Sequence, residues 1–331
     1  MKKYTIGVDI GGTKIACGLV EASGKLLYRT VVPTLSGEGY KISLAQVYRA
    51  IEDILKSSFL KRREVSGVGV CAPGPLDPIK GIVHNPPNLK GWKNVPLRRL
   101  LEKKFKIPVK VENDANAAGI AELKWGAAKG YKHVLYVTVS TGIGTAIIIN
   151  GEIYHGKNGM AGEGGHVSIN FDDKKSLCNC GNYGCIEALA SGVHTAKKLA
   201  DRIKTGKVPG SAAIIKACGG KLEDLNMEMI GKAARAGNRQ AIRTIEGEGE
   251  LIGIWLGGMV SVLDPEIIVI GGGVAFLGDI FFRAIKRSMP LHTLNVYASK
   301  TPVVPAKLKK DVGIYGAASV MTGEKRRGNG C

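Results

Sequence analysis

The sequence predicts an α/β protein of two lobes around a cleft, each built on a copy of one β-sheet pattern. A chain of 331 residues is too long for one ordinary compact core, and a weak internal echo divides it. Residues 5–26 read as a buried strand, a glycine turn, a second strand and a polar turn. Residues 134–153 repeat that grammar, from Val134-Leu-Tyr-Val-Thr-Val139 through Ser140-Thr-Gly-Ile-Gly-Thr145 to Ala146-Ile-Ile-Ile-Asn-Gly-Glu-Ile153. Hydrophobic residues at 44% and charged residues at 23% give the balance of a globular chain that buries a core.

Between the two hairpins, Leu44, Val47, Ile51, Ile54 and Leu55 recur at spacings of three and four, which predicts a helix. Val65 to Cys71 reads as a buried strand that runs into the Pro/Gly loop Ala72 to Leu76, and the prolines from His84 to Pro96 exclude regular helix. Ile107 to Glu112 is a strand. Asn113-Asp114 then opens a helix over Ala115 to Trp125, with Asp114 as its expected N-cap. The second half carries two long helical stretches at about 226–236 and 239–262, ended by Asp264-Pro265. A strand from Glu266 into glycines 271–273 follows, then a helix from Asp279, its expected cap, to Met289. The tail from Thr322 is expected to fray.

The net charge of +19 raises nucleic acid as a partner, yet only Lys61-Arg62-Arg63 and Lys325-Arg326-Arg327 form tight runs. No zinc-finger, RNA-recognition or helix-turn-helix signature accompanies them. Solvated charge with some attraction for anionic substrates is the expectation, with no nucleic-acid partner. Asp9 cuts the apolar start short of a secretory signal, and glycines with Asp279 break Ile267 to Phe282 short of a membrane span. Seven cysteines, three of them within eight residues, suit metal ligation in a reducing cytoplasm better than a disulfide framework.

Three glycine turns follow buried strands: Asp9-Ile-Gly11-Gly12-Thr13-Lys14, Ser140-Thr141-Gly142-Ile-Gly144 and Gly271-Gly272-Gly273. With no Cβ in the way, backbone N–H groups there approach a phosphate closely. A tight hairpin also uses glycine, so each turn gains its weight from the duplicated pattern around it. Two other nucleotide motifs fail on spacing. Gly151 to Lys157 opens like a P-loop but has Asn158 where a Ser or Thr must meet magnesium, and neither Gly142-Ile-Gly144 nor Gly271 to Gly273 has the third glycine of the dinucleotide fingerprint. His166, Cys178, Cys180 and Cys185 make a Cys3His set, four ligands with no open position for water, which predicts a structural zinc. Glu163 and Glu187 lie beside it in sequence, and carboxylates with a histidine suit sugar hydroxyls.

With these residues assembled, the chain resembles the ROK family (repressors, open reading frames and kinases) of the sugar-kinase, chaperone and actin superfamily. The likeness runs from Asp9 to about Ala318. It rests on Asp9 to Lys14, Glu112-Asn-Asp-Ala-Asn-Ala117, Ser140 to Gly144, Gly162-Glu-Gly-Gly-His166, Cys178 to Glu187 and Ile270 to Val274. The resemblance implies a two-lobed actin-like (ribonuclease H-like) ATPase fold. The expected division is a small lobe over 1–115 completed by a C-terminal helix at about 311–322, a large lobe over 116–310 with the zinc site, and a flexible tail over 323–331. It also implies Asp114 as catalytic base, with Asn88, Asn113, Asp114, Glu163, His166 and Glu187 on a hexose. Gly11, Gly12, Thr13, Lys14, Thr141, Gly142 and Gly144 would hold phosphates, and Gly271, Gly272 and Gly273 the adenosine. Gly164 stands where relatives often carry an apolar residue, a departure that leaves the sugar contacts in place and bears on the local backbone rigidity.

The activity this implies is transfer of the γ-phosphoryl group of ATP to the 6-hydroxyl of a hexose, with glucose as the leading substrate and N-acetylmannosamine or N-acetylglucosamine as alternatives. Asp114 would take the hydroxyl proton, Asp9 would hold magnesium through water, and the zinc would orient His166. A cytoplasmic homodimer is expected; ADP or polyphosphate stay open as donors. Two rival classes are a sugar-responsive transcription regulator, which would carry a helix-turn-helix where only eight residues precede Asp9, and a sugar sensor without catalysis, against which Asp114 and the glycine turns speak.

Overall fold

The computed structural model describes residues 4–58, 62–206 and 208–321. The tail from Thr322, Lys61 and the run Lys325-Arg326-Arg327 lie outside the described residues. In chain order the elements are β1 (Tyr4–Ile10), β2 (Lys14–Glu21), β3 (Leu26–Pro33), α1 (Tyr40–Ser57), β4 (Val65–Ala72), β5 (Leu76–Asp77), β6 (Ile82–Val83), α2 (Leu97–Phe105), β7 (Val109–Asn113) and α3 (Asp114–Trp125). Then come β8 (Val134–Val139), β9 (Ile143–Ile149), β10 (Glu152–Ile153), α4 (Ile186–Ala190), α5 (Gly192–Lys204), α6 (Ala212–Ala217), α7 (Met227–Arg235), α8 (Arg239–Leu263), β11 (Ile267–Gly271), α9 (Asp279–Ser288), β12 (Val303–Pro305) and α10 (Val312–Met321).

Two five-stranded sheets share one plan, β3-β2-β1-β4-β7 and β10-β9-β8-β11-β12. In the first, β1 runs antiparallel to β2 and parallel to β4, and β4 is parallel to β7. In the second, β8 runs antiparallel to β9 and parallel to β11, and β11 is parallel to β12. The repeated hairpin grammar is thus a repeat of strand order and direction. The central strands β1 and β8 are buried almost throughout, as parallel strands covered on both faces must be.

The chain divides into two compact units, Met1–Gly130 with Ile153–Ala161 and Lys307–Cys331, and Tyr131–Glu152 with Gly162–Ala306. Helix α3 falls in the first unit, although the sequence boundary at 115 set it apart. The reason is packing: a β-carbon on Gly316 of α10 would lie 2.8 Å from the backbone of Ala117 in α3, so the two helices meet closely. In the first unit, α1 buries Leu44, Val47, Ile51 and Ile54 against Ile6, Val8, Val68 and Val70, with Leu55 at the margin. In the second, Leu135, Val137, Ile268 and Ile270 pack with Ile252, Leu256 and Phe281. Helix α8 is capped by Asn238, whose side chain accepts from Ala241 N, and ends where Asp264 turns left-handed before Pro265. Helix α9 is preceded by Gly278 at the N-cap, so Asp279 is its first residue and not its cap; the carboxylate still complements that helix end. Among the described residues no helix is long and apolar enough to cross a membrane.

One buried group in α8 makes stability depend on pH. Glu248 is 2% exposed, inside the packed face of α8. Burial pushes its pKa from 4.5 up to about 8, with the Thr195 hydroxyl pulling the other way. Below pH 4.5 folded and unfolded chains both carry the proton; as pH rises toward 8 only the unfolded chain sheds it. Stability therefore falls by a few kcal/mol across that window and levels off above it. Glu248→Gln should lack this slope and be the more stable protein at pH 8.5. Urea midpoints at pH 5, 7 and 8.5 check this, and parallel slopes in the two proteins would count against it.

Candidate active site

In the first unit, Asp9 sits one residue from the end of β1, paired with Cys71 of β4. The Cys71 thiol donates to Asp9 Oδ1 at 3.4 Å, and a β-carbon on Gly313 would collide with Oδ2. Burial pushes the Asp9 carboxyl up, while the Cys71 hydrogen bond and the Lys14 charge pull it back. A half-buried carboxylate with its charge only partly matched suits a hard cation. In the turn that follows, Gly11 N donates to Lys14 O, Thr34 Oγ1 to Gly11 O at 2.6 Å and Ser36 Oγ to Gly12 O at 2.7 Å. Asn88 lies against this turn, its carbonyl oxygen 2.9 Å from where a β-carbon on Gly12 would stand. Leu89 and Trp92, both fully buried, anchor its loop.

At the start of α3 the cap is Asn113, not Asp114. Asn113 keeps the extended backbone of β7 (φ −66°, ψ 146°), and its Oδ1 accepts from Ala115 N at 2.9 Å and Asn116 N at 3.3 Å. Asp114 is the first helical residue, exposed, with Oδ1 accepting from Ala115 N at 2.8 Å. Asn113 has its oxygen engaged in the cap and only its amide N–H groups to offer a ligand. Motif reading missed the support below. Glu112 is 4% exposed; its Oε1 accepts from Asn113 N and Asn116 Nδ2, each at 3.0 Å, and its Oε2 lies 2.8 Å from His155 Nε2. These bonds hold the junction of β7 and α3, and hence Asp114, from behind.

In the second unit, the turn between β8 and β9 is closed by Ser140 N donating to Gly142 O at 2.9 Å. Ile143 N donates to Glu187 Oε2 at 2.9 Å. Thr145 Oγ1 donates to Gly162 O at 2.6 Å and lies 3.2 Å from Gly164 N. Gly164 is buried, and a β-carbon there would stand 2.8 Å from Thr145 Oγ1 and 3.2 Å from Trp255. Thr145 and Trp255 thus occupy the space that a side chain at 164 would need. Glu163 is exposed, with Oε2 3.9 Å from His166 Nε2. Gly271 ends β11, Gly272 follows it, and Gly273 opens a short 3-10 helix that runs to Leu277.

His166, Cys178, Cys180 and Cys185 converge, with ligand atoms all within 4.8 Å of one another. Cys178 Sγ is 3.4 Å from His166 Nδ1, and the Cys180 and Cys185 sulfurs are 3.7 Å apart. A tetrahedral ion with ~2.3 Å metal–sulfur bonds sets its ligand atoms about 3.8 Å apart, so the four groups fit a zinc. With Nδ1 toward the sulfurs, His166 keeps Nε2 on the side of Glu163.

The ROK family model matches residues 5–324. This chain belongs to the ROK family. It is similar to a glucokinase of Thermotoga maritima, 32% identical over 97% of this chain and 98% of that one. A xylose repressor of Caldicellulosiruptor bescii is 28% identical over 96% of this ROK chain and 77% of its own. The crystal structure of a ROK family glucokinase from Streptomyces griseus in complex with glucose and AMPPNP covers 96% of this chain with 98% of its own, at 31% identity and a TM-score of 0.83. The fold is accordingly the actin-like ATPase fold of ROK sugar kinases.

Proposed function

We propose that this ROK chain is a sugar kinase that transfers the γ-phosphoryl group of ATP to the 6-hydroxyl of glucose. The observation that carries this is full-length likeness to glucokinases, one of them crystallised with glucose and an ATP analogue. Asp114, exposed at the start of α3, accepts the hydroxyl proton as phosphoryl transfer proceeds. Lys14 and the backbone amides of the turns at 11–14 and 141–144, apart from Gly11 N and Ile143 N, which already donate within the protein, stabilise charge on the phosphoryl oxygens, and Gly271 to Gly273 meet the adenosine. Asp9 would hold magnesium, which when bound supplies further positive charge to those oxygens. Asn88, the Asn113 amide, Glu163, His166 Nε2 and Glu187 pair with sugar hydroxyls. A zinc on His166 and the three cysteines would supply a fixed cross-link that sets the His166 ring. Homodimer formation and a cytoplasmic location belong to the same proposal.

Screening hexoses and N-acetylhexosamines with ATP, ADP and polyphosphate, by coupled ADP release and product analysis, tests it. Glucose with ATP should turn over fastest and yield the 6-phosphate. Fastest turnover of N-acetylmannosamine would move the substrate. No turnover with any pair, together with sugar-dependent retardation of a DNA fragment, would replace the kinase by a regulator.

A further inference from the structure

Glu187 is more deeply placed than a residue needed only at a sugar. It lies in the first turn of α4, two residues past Cys185, and is 8% exposed. Its Oε2 accepts from Ile143 N at 2.9 Å, at the first residue of β9 where the turn from β8 ends. Gly142 comes so near that a β-carbon there would stand 2.5 Å from the same oxygen, so the turn and the carboxylate are fitted to each other. A second tie follows α4, where Gly192 N donates to Ser140 O at 2.8 Å. On its other side, Glu187 Oε1 is 3.7 Å from Cys178 Sγ, and the backbone joins it to Cys185. A carboxylate that accepts from a backbone amide away from water makes a strong, directional bond. The turn at 140–144 is thereby held from α4 as well as by its own hairpin.

We propose that Glu187 is a positioning residue that fastens the glycine turn at 140–144 to the Cys3His loop, so that this loop sets how the turn meets the phosphates of a nucleotide. This rests on the reading of that turn as a phosphate site. It adds a role for Glu187 that does not pass through the sugar.

The test measures binding of a non-hydrolysable ATP analogue by calorimetry, with magnesium and without sugar, on the full chain. Glu187→Asp keeps the charge but falls a methylene short of Ile143 N; Glu187→Gln keeps the reach and an accepting oxygen. The dissociation constant should rise about tenfold in Glu187→Asp and stay within about threefold in Glu187→Gln. Stripping the unaltered protein with a zinc-selective chelator should weaken analogue binding in the same way. Wild-type affinity in Glu187→Asp, or unchanged affinity after stripping, would overturn the proposal. Thr141→Glu, which sets a carboxylate on the exposed tip of the turn, separates the two ideas. If Thr141→Glu leaves analogue binding intact, the phosphate reading itself fails; if it abolishes binding while Glu187→Asp does not, only the positioning role is lost.

Discussion

Asp114→Asn should lower kcat by about 10²–10⁴-fold, the range that a positioned general base contributes, while sugar binding stays within about threefold of wild type. The substitution isolates the proton-accepting step because the local structure does not need the charge. Helix α3 is capped by Asn113, and an amide oxygen at 114 still accepts from Ala115 N. Glu112, with its bonds to Asn113 N, Asn116 Nδ2 and His155, keeps the junction in place. An interaction needed only as the proton leaves should lower kcat and kcat/KM together and leave the calorimetric dissociation constant of glucose alone. Turnover within about tenfold of wild type would remove Asp114 from the role of base and return the site to sugar binding alone.

The parts of this molecule that were legible in its sequence are those fixed by local rules. Strands β1 and β8 are apolar runs ended by glycine turns, and their likeness gave away two sheets of one plan before any pairing was known. The Cys3His set was legible because a closed zinc site needs four ligands of a few types, and three of them lie within one short loop. The cap of α3 was misplaced by one residue because Asn and Asp cap equally well; only the backbone of Asn113 decides. What could not be read depends on distant segments. His155 meets Glu112 because residues 153–161 return to the first unit, and the pair is 43 residues apart in sequence. That Trp255 of α8 lies where a side chain at 164 would stand is likewise set by a segment 91 residues away. Glu187 carried a sugar motif, but its bond to Ile143 N follows from how α4 packs on the turn, which no spacing reports.

The largest effect on stability should come from the metal cluster, with Cys185→Ser as its sharpest probe. The segment from Val167 to Cys185 contains little regular structure: it is braced by the isolated bridges Ser168 to Cys185 and Leu177 to Tyr183, and it exposes Phe171 at 81% and Leu177 at 54%. Such a loop has too little apolar surface to bury to hold itself together, which is the condition under which a metal contributes folding energy outright. Cys185 is fully buried and sits at the N-cap of α4, so it ties this loop to the helix that carries Glu187. Purified wild-type protein should contain about one zinc per chain, and Cys185→Ser none. The apparent melting temperature should fall by at least about 3 °C, the shift that a loss of ~2 kcal/mol brings in a chain of 331 residues. A zinc-selective chelator should lower the wild-type melting temperature to that of the variant and leave the variant unmoved, because both treatments remove the same cross-link. Active wild-type enzyme with no zinc, or a variant as stable as its parent, would mean that the four side chains converge without a metal and that the loop is braced by its backbone bridges alone.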